Sequence, residues 1–262
     1  MTVALIDERL DPTAVARLRD MGFHTVALPS CPRLSEAVAS HPDMLTLLLG
    51  DTLLVEGEYL VEASEVFAEI GRLLPRLKIG AIESSFAPEY PHDCLLNSLV
   101  MGGRLFCRSE SIAPEVKRLA SEIGLRITDV RQGYPACTVL ALGDSHAITA
   151  DRGMARALQG AGIRVLLIED GGIDLAPYEF GFIGGACGVY NKKVYFIGDI
   201  STHPQGEEIE RFCLEAGFET VCLSSGRLTD LGRIIFIDSD GYDEERQKEY
   251  SREAEERVAD IH

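Results

Sequence analysis

The 262-residue chain has no tryptophan, only 7% aromatic residues, and 25 Lys plus Arg against 42 Asp plus Glu. That shortage of positive charge leaves a formal net charge of −17, which argues against a nucleic-acid-binding surface. No apolar run approaches the ~18 residues of a membrane span; Leu45 to Leu49 is the length of a strand. Met1 through Asp7 lacks the basic leader, apolar stretch and small-residue cleavage site of a signal peptide. The seven cysteines (Cys31, Cys94, Cys107, Cys137, Cys187, Cys213 and Cys222) are odd in number and form no CxxC pair. Reduced thiols are therefore expected rather than a disulfide framework or a structural zinc site. These absences predict a soluble, cytoplasmic protein with neither nucleic acid nor membrane as partner.

What is present is the composition of a folded globular protein, 46% hydrophobic and 26% charged. Length alone admits one large domain or two small ones. A repeat decides between them. Four stretches each read as an amphipathic helix, a glycine, an apolar residue and a strand: PTAVARLRDMGFHTVAL from Pro12, APEVKRLASEIGLRITDV from Ala113, DRGMARALQGAGIRVLLI from Asp151, and PQGEEIERFCLEAGFETVCL from Pro204. Gly22, Gly124, Gly162 and Gly217 hold the same place, where a left-handed residue stops a helix. A weaker fifth copy runs from Ala63 to Ile82, with Pro75 ending its helix.

Between these units lie paired apolar segments, DMLTLLLGDTLLVE from Asp43, CLLNSLVMGGRLFCR from Cys94, CTVLALGDSHAITAD from Cys137 and GGACGVYNKKVYFIGD from Gly184. Each has a turn signal at its middle: Gly50-Asp51, Gly102-Gly103, Gly143-Asp144 or Asn191-Lys192. The unit is strand, turn, strand, helix, strand. DLGRIIFID, from Asp230 to Asp238, supplies one more first strand, and the matching second strand, helix and third strand are TVALID, PTAVARLRDMG and FHTVAL at the amino terminus. Five modules of about 45 residues, one split between the two ends, predict a closed α/β ring over residues 1–238. A doubly wound open sheet is the competing architecture, because strands alternate with helices. Residues 239–262 form an acidic carboxyl-terminal segment, expected to be helical and solvated; from Asp238 to His262 there are ten acids and four bases.

A five-fold arrangement of ββαβ modules resembles the pentein superfamily, the guanidino-group modifying fold, whose members include arginine deiminase, dimethylarginine dimethylaminohydrolase, glycine amidinotransferase and the ribosome anti-association factor. HPDM from His41, YPHD from Tyr90, GYPACT from Gly133, TADRGMARAL from Thr149, YEFGFIGGACG from Tyr178 and LTDLG from Leu228 are similar to a bacterial branch of that superfamily of unknown function. The resemblance implies a five-module ββαβ propeller whose active site lies where the first strands begin. There a cysteine attacks the guanidinium or amidine carbon, a histidine moves protons and carboxylates hold the cation.

In this sequence those starts are His41-Pro42-Asp43, Pro91-His92-Asp93-Cys94, Pro135-Ala136-Cys137-Thr138, Gly184-Gly185-Ala186-Cys187 and Leu228-Thr229-Asp230. The enzymes of the superfamily carry their cysteine in the last module and their histidine in the one before; here those modules offer Thr229 and Asp230, then Ala186 and Cys187. A rotated site follows, with Cys137 as nucleophile, His41 or His92 as acid-base, and Asp43, Asp93 and Asp230 as carboxylates for the forked donors of a guanidinium. Asn97, Gly184 and Gly185 join the substrate-binding set, with Glu169 and Tyr178 from the long loop Glu169 to Phe180.

Each of these residues also has a plainer reading. Cys137 heads an apolar strand and suits a small core position, His41 and His92 suit strand-end hydrogen bonding, and the loop suits an ordinary surface. GFIGGACG is no phosphate loop, because no helix opens after it and no Lys-Ser or Lys-Thr follows. The expected activity is thus C–N hydrolysis or amidino transfer on a small cationic, guanidine-like substrate, without a cofactor and without a metal, by a monomer or a homodimer. The alternatives are a non-catalytic ring that binds a small ligand or a protein, and a metal-dependent enzyme built on His41, Asp43, His92 and Asp93.

Overall fold

The computed structural model describes residues 1–239. Among them the strands form five three-stranded sheets and one two-stranded sheet rather than one continuous sheet. Every three-stranded sheet has one plan: the first strand runs antiparallel to the second, and the second runs parallel to a third reached through a helix.

In the first module these strands are Thr46–Leu49, Thr52–Glu56 and Lys78–Ile82. In the second they are Leu99–Met101, Arg104–Cys107 and Arg126–Asp129. The third has Val139–Leu142, His146–Thr149 and Arg164–Leu167, and the fourth Cys187–Tyr190, Lys193–Phe196 and Glu219–Cys222. The fifth joins the two ends of the described chain: Ile235–Asp238 pairs antiparallel with Thr2–Asp7, Thr2 facing Asp238, and Thr2–Asp7 pairs parallel with His24–Leu28.

The local chemistry explains these elements. Asp11 caps Pro12–Asp20 by accepting from the Thr13 amide, and Asp151 caps Arg152–Gly160 by accepting from the Met154 amide. Gly22, Gly124, Gly162 and Gly217 end their helices at φ of +91°, +79°, +85° and +82°. Gly102-Gly103 and Asn191-Lys192 take positive φ at both turn positions, as a tight hairpin requires. One buried apolar cluster contains Val3, Leu5, Leu45, Leu53, Leu105 and Ile237, so a continuous core runs from the fifth sheet through the first to the second. No helix among the described residues is long and apolar enough to cross a membrane.

Three expectations are corrected at the module starts. Asp43 and Cys137 lie not on strands but on single helical turns, Pro42–Leu45 and Pro135–Thr138. Each turn opens with a proline, whose fixed φ and missing N–H suit the first helical position. The expected strand from Asp230 to Asp238 shrinks to Ile235–Asp238. The Asp230 carboxylate accepts from the Gly232 amide, and the amides of Leu231 and Arg233 both donate to the Gly185 carbonyl instead of to a ladder. The long loop after the third module is not structureless: Ile173–Asp174 pairs in parallel with Leu228–Thr229. The expected helix in the acidic carboxyl-terminal segment lies outside the described residues, apart from Ser239.

Candidate functional site

The module starts are stitched together by hydrogen bonds. The Asp43 amide donates to the Gly232 carbonyl at 3.1 Å, which links the first module to the fifth. Asn97 Nδ2 donates to the Asp43 carbonyl at 3.2 Å, and Asn97 Oδ1 accepts from the Ala136 amide at 2.9 Å. Asn97 thus ties the first, second and third modules. The Gly185 amide donates to the Cys137 carbonyl at 2.9 Å, and the Gly185 carbonyl accepts from Leu231 and Arg233 at 3.1 and 2.9 Å.

Inside this frame lies a buried polar centre. Cys137 Sγ donates to Asp43 Oδ2 at 2.9 Å and accepts from Asn97 Nδ2 at 3.3 Å. One ligand atom from each of His41, Asp43 and Cys137 lies within 4.8 Å of the other two. His41 Nδ1 is 3.9 Å from Asp230 Oδ1, and His41 Nε2 is 4.0 Å from Asp7 Oδ2. His41 is 0% exposed, Asp230 1% and Cys137 4%.

Glycines permit this crowding. A Cβ at Gly185 would overlap the Asp230 carboxylate, and one at Gly232 would overlap His41.

Burial sets the protonation states. It pushes Asp43 up to about 6 and Asp230 up to about 7, where the Asp43 charge adds to the shift. His41 is pushed down to about 4 by the same desolvation, against the pull of Asp7. The Cys137 thiol is held well above its ordinary range, first by burial and then by the charges of Asp43 and Asp230. As it stands the centre stores a protonated thiol and a neutral imidazole beside two carboxyl groups. Two arginines act on these groups through space: Arg233 draws Asp43 down, and Arg9 draws Asp230 and His41 down, in each case by less than burial shifts them.

The remaining expected residues divide. Gly184 and Gly185 border the centre, where a Cβ at Gly184 would meet the Ala136, Cys137 and Val139 carbonyls. Asp93 is buried but turned to Tyr134, whose hydroxyl donates to Asp93 Oδ2 at 2.6 Å. His92 is exposed, and its carbonyl accepts from the Ala87 amide. The second module's strand begins only at Leu99, so His92 and Asp93 sit in the preceding loop, and Asn97 is the side chain this module sends to the centre. Glu169 and Tyr178 are exposed on their loop, and Cys187 is a core thiol donating to the Ile183 carbonyl at 3.3 Å.

Asp7, Arg9 and Ser40 are absent from the sequence-based set. Arg9 grips Asp7 at 2.7 and 2.9 Å, and Ser40 Oγ donates to Asp7 Oδ1 at 2.9 Å. The available signal was an acid closing the fully apolar run Val3–Ile6.

Comparison with solved structures finds the same fold in two enzymes of distant sequence. A dimethylarginine dimethylaminohydrolase, in its adduct with 4-chloro-2-hydroxymethylpyridine, matches with a TM-score of 0.53 at 13% identity, covering 86% of this chain and 92% of its own. SxtG, an amidinotransferase from Microseira wollei in the saxitoxin biosynthetic pathway, matches with a TM-score of 0.54 at 10% identity, covering 86% and 77%. At these identities the likeness is one of fold. No curated protein sequence matches the chain. A family model matches residues 5–235, nearly the whole described chain, and the protein therefore belongs to the Family of unknown function (DUF6873).

Proposed function

We propose that the chain is a closed ring of five ββαβ modules, a single domain over residues 1–238, that acts on a C–N bond of a small guanidinium or amidinium compound through Cys137. The circuit of hydrogen bonds from Asp43 through Asn97, Ala136, Gly185 and Gly232 back to Asp43 supports the closed ring. The observation that carries the chemistry is the Cys137 thiol, donating to Asp43 at 2.9 Å with a His41 ligand atom within 4.8 Å.

A guanidinium seated between Asp43 and Asp230 adds positive charge where Arg233 and Arg9 only partly offset the burial of the two carboxyl groups. It offers forked donors to both carboxylates, lowers their pKa values, and offsets the two negative charges that now oppose thiolate formation. The substrate thereby activates its own nucleophile. Cys137 Sγ bonds to the central carbon as its proton passes to His41. The tetrahedral adduct collapses with cleavage of C–N, and His41 returns the proton to the departing amine. Water or an acceptor amine then attacks the S-amidino intermediate, breaks the C–S bond and restores the thiol. His41 is assigned this role in preference to the exposed His92.

A haloacetamidine, a cationic alkylating probe, tests the reading by intact mass and peptide mapping on the full chain. A single adduct on Cys137 is expected, formed at least tenfold faster than with the neutral haloacetamide and slowed in Asp43→Asn. No adduct at Cys137, or equal rates for the two probes, overturns it.

The burial of every member of the centre supports a second reading, a ring that binds a cationic ligand without turnover. In that case guanidinium compounds raise the melting temperature while Cys137 stays unmodified.

A further inference from the structure

Three polar atoms at the centre are buried without a hydrogen-bond partner: His41 Nδ1, His41 Nε2 and Asp43 Oδ1. Buried polar groups are nearly always paired, and each exception asks for an explanation. Asp93 Oδ1 and Ser98 Oγ are also unpartnered, but each is a single atom of its residue. At the centre both nitrogens of one ring and an oxygen of its neighbour go unsatisfied together, next to a thiol.

The donor set is specific. Imidazole, carboxylate and thiol, one from each residue and all within 4.8 Å, are the ligand types of zinc. Tetrahedral zinc, with bonds of about 2.0–2.3 Å, spaces its donor atoms about 3.3–3.8 Å apart. Reaching that spacing requires Cys137 Sγ and Asp43 Oδ2 to open from 2.9 Å while the imidazole closes in.

Ring nitrogens that bind metals hand their second N–H to a carboxylate, and His41 has one on each side. Asp230 lies 3.9 Å from Nδ1 and Asp7 lies 4.0 Å from Nε2. Neither distance is a hydrogen bond as it stands, so whichever nitrogen ligates, the carboxylate facing the other has to close by about 1 Å to receive its N–H. Asp7 is itself fixed by Arg9 and Ser40, and Asn97 already donates to the sulfur.

We infer that His41, Asp43 and Cys137 form a binding site for a thiophilic divalent cation, with zinc as the best match, and that this cation and a cationic substrate exclude each other. The second half rests on the proposed function, because both occupants take the Cys137 sulfur and the Asp43 carboxylate. The first half does not. Binding displaces the thiol proton to solvent, one per cation, and leaves a fourth coordination position for water or Asp230.

The full chain, stripped with a chelator and titrated with cobalt(II), tests the site without reference to turnover. One equivalent is expected to give tetrahedral ligand-field bands and thiolate-to-cobalt charge transfer, both lost on adding zinc. Cys137→Ser removes the charge transfer, or Cys137→Ala does where the serine variant fails to fold. His41→Ala and Asp43→Asn weaken binding at least tenfold, and His92→Ala leaves it unchanged. Charge transfer that survives in the Cys137 variants, or octahedral bands alone, overturns the site. Haloacetamidine labelling separates the two claims: cobalt binding without labelling keeps the metal site and removes the C–N chemistry, whereas labelling that zinc does not slow removes the mutual exclusion.

Discussion

The first and second modules both open on a histidine, a proline and an aspartate, and the two groups have opposite fates. His41-Pro42-Asp43 is buried throughout, with both side chains in the polar centre; in Pro91-His92-Asp93 the histidine is exposed and the aspartate is buried against Tyr134. Order is the difference. Proline between histidine and aspartate starts a helical turn, whose first residues put His41 and Asp43 inward together. With proline first, the chain reaches its strand only at Leu99, and the loop separates the neighbours. The same three residue types in a different order therefore meet different surroundings, a buried polar centre in one module and a loop in the other.

The comparison breaks most visibly in activity. His41→Ala is expected to lower the rate of substrate-dependent Cys137 modification by about 10²–10⁴-fold, the usual worth of a positioned acid-base group. His92→Ala is expected to leave it within twofold, measured with the same probe. Equal losses would erase the distinction between the two regions.

Stability gives the next contrast. Gly185→Ala drives a methyl group into the Asp230 carboxylate, fixed by two backbone amides, and is expected to cost about 3 kcal/mol or more in urea unfolding. Gly133→Ala beside the second region meets the ring of Tyr90, which is 47% exposed and held, among the described residues, only by the Arg108 side chain, the Arg131 carbonyl and the ring of Tyr134, so a smaller loss of about 1–2 kcal/mol is expected.

Titration sharpens the comparison further. Asp43 is raised to about 6 in the fold from 3.8, so the folded state holds its proton longer than the unfolded chain does. The resulting stability is complete below pH 3.8, and it is lost as pH rises through 6. Asp43→Asn removes that loss: the variant is expected to exceed wild type by about 2 kcal/mol at pH 8, with the gap closing towards pH 4. A constant gap across the range would mean that folding leaves the pKa of Asp43 unchanged, and a gap that reverses as pH rises would mean that the carboxylate is paired with a cation.

Tyr134→Phe leaves Asp93 without its only side-chain donor among the described residues and is expected to cost about 1–3 kcal/mol at neutral pH. The smallest effect belongs to His92→Ala, within about 0.5 kcal/mol of wild type.

Much of the fold was legible because its signals are local. A glycine after each of four helices and turn residues between paired apolar runs are read over a few neighbouring positions, and the two half-modules matched by analogy with the rest. The centre was legible in part: Cys137, His41, Asp43 and Asp230 follow from their places at module starts, whereas Asn97 lies past the start read for its module. The distinction between His41 and His92 was not, because it depends on where a strand begins after an irregular loop. Asp7 was hidden for another reason. Its significance comes from Arg9, Ser40 and His41 meeting it across the boundary between two modules, and pattern within one segment does not report such a meeting.

The pairing of Thr2–Asp7 with Ile235–Asp238 has a consequence for biosynthesis. Four sheets take all their strands from one stretch of chain, and each can assemble as that stretch leaves the ribosome at roughly 5–20 residues per second. The other two sheets do not: Ile173–Asp174 waits for Leu228–Thr229, and Thr2–Asp7 waits for Ile235–Asp238, the closure of highest contact order among the described residues. Asp230 and Gly232, which frame His41, emerge just before that last strand. A nascent chain thus carries its thiol and imidazole for more than ninety residues after Cys137 before the Asp230 carboxylate that joins their surroundings is made, so the buried polar centre cannot come together until the fourth sheet has left the ribosome.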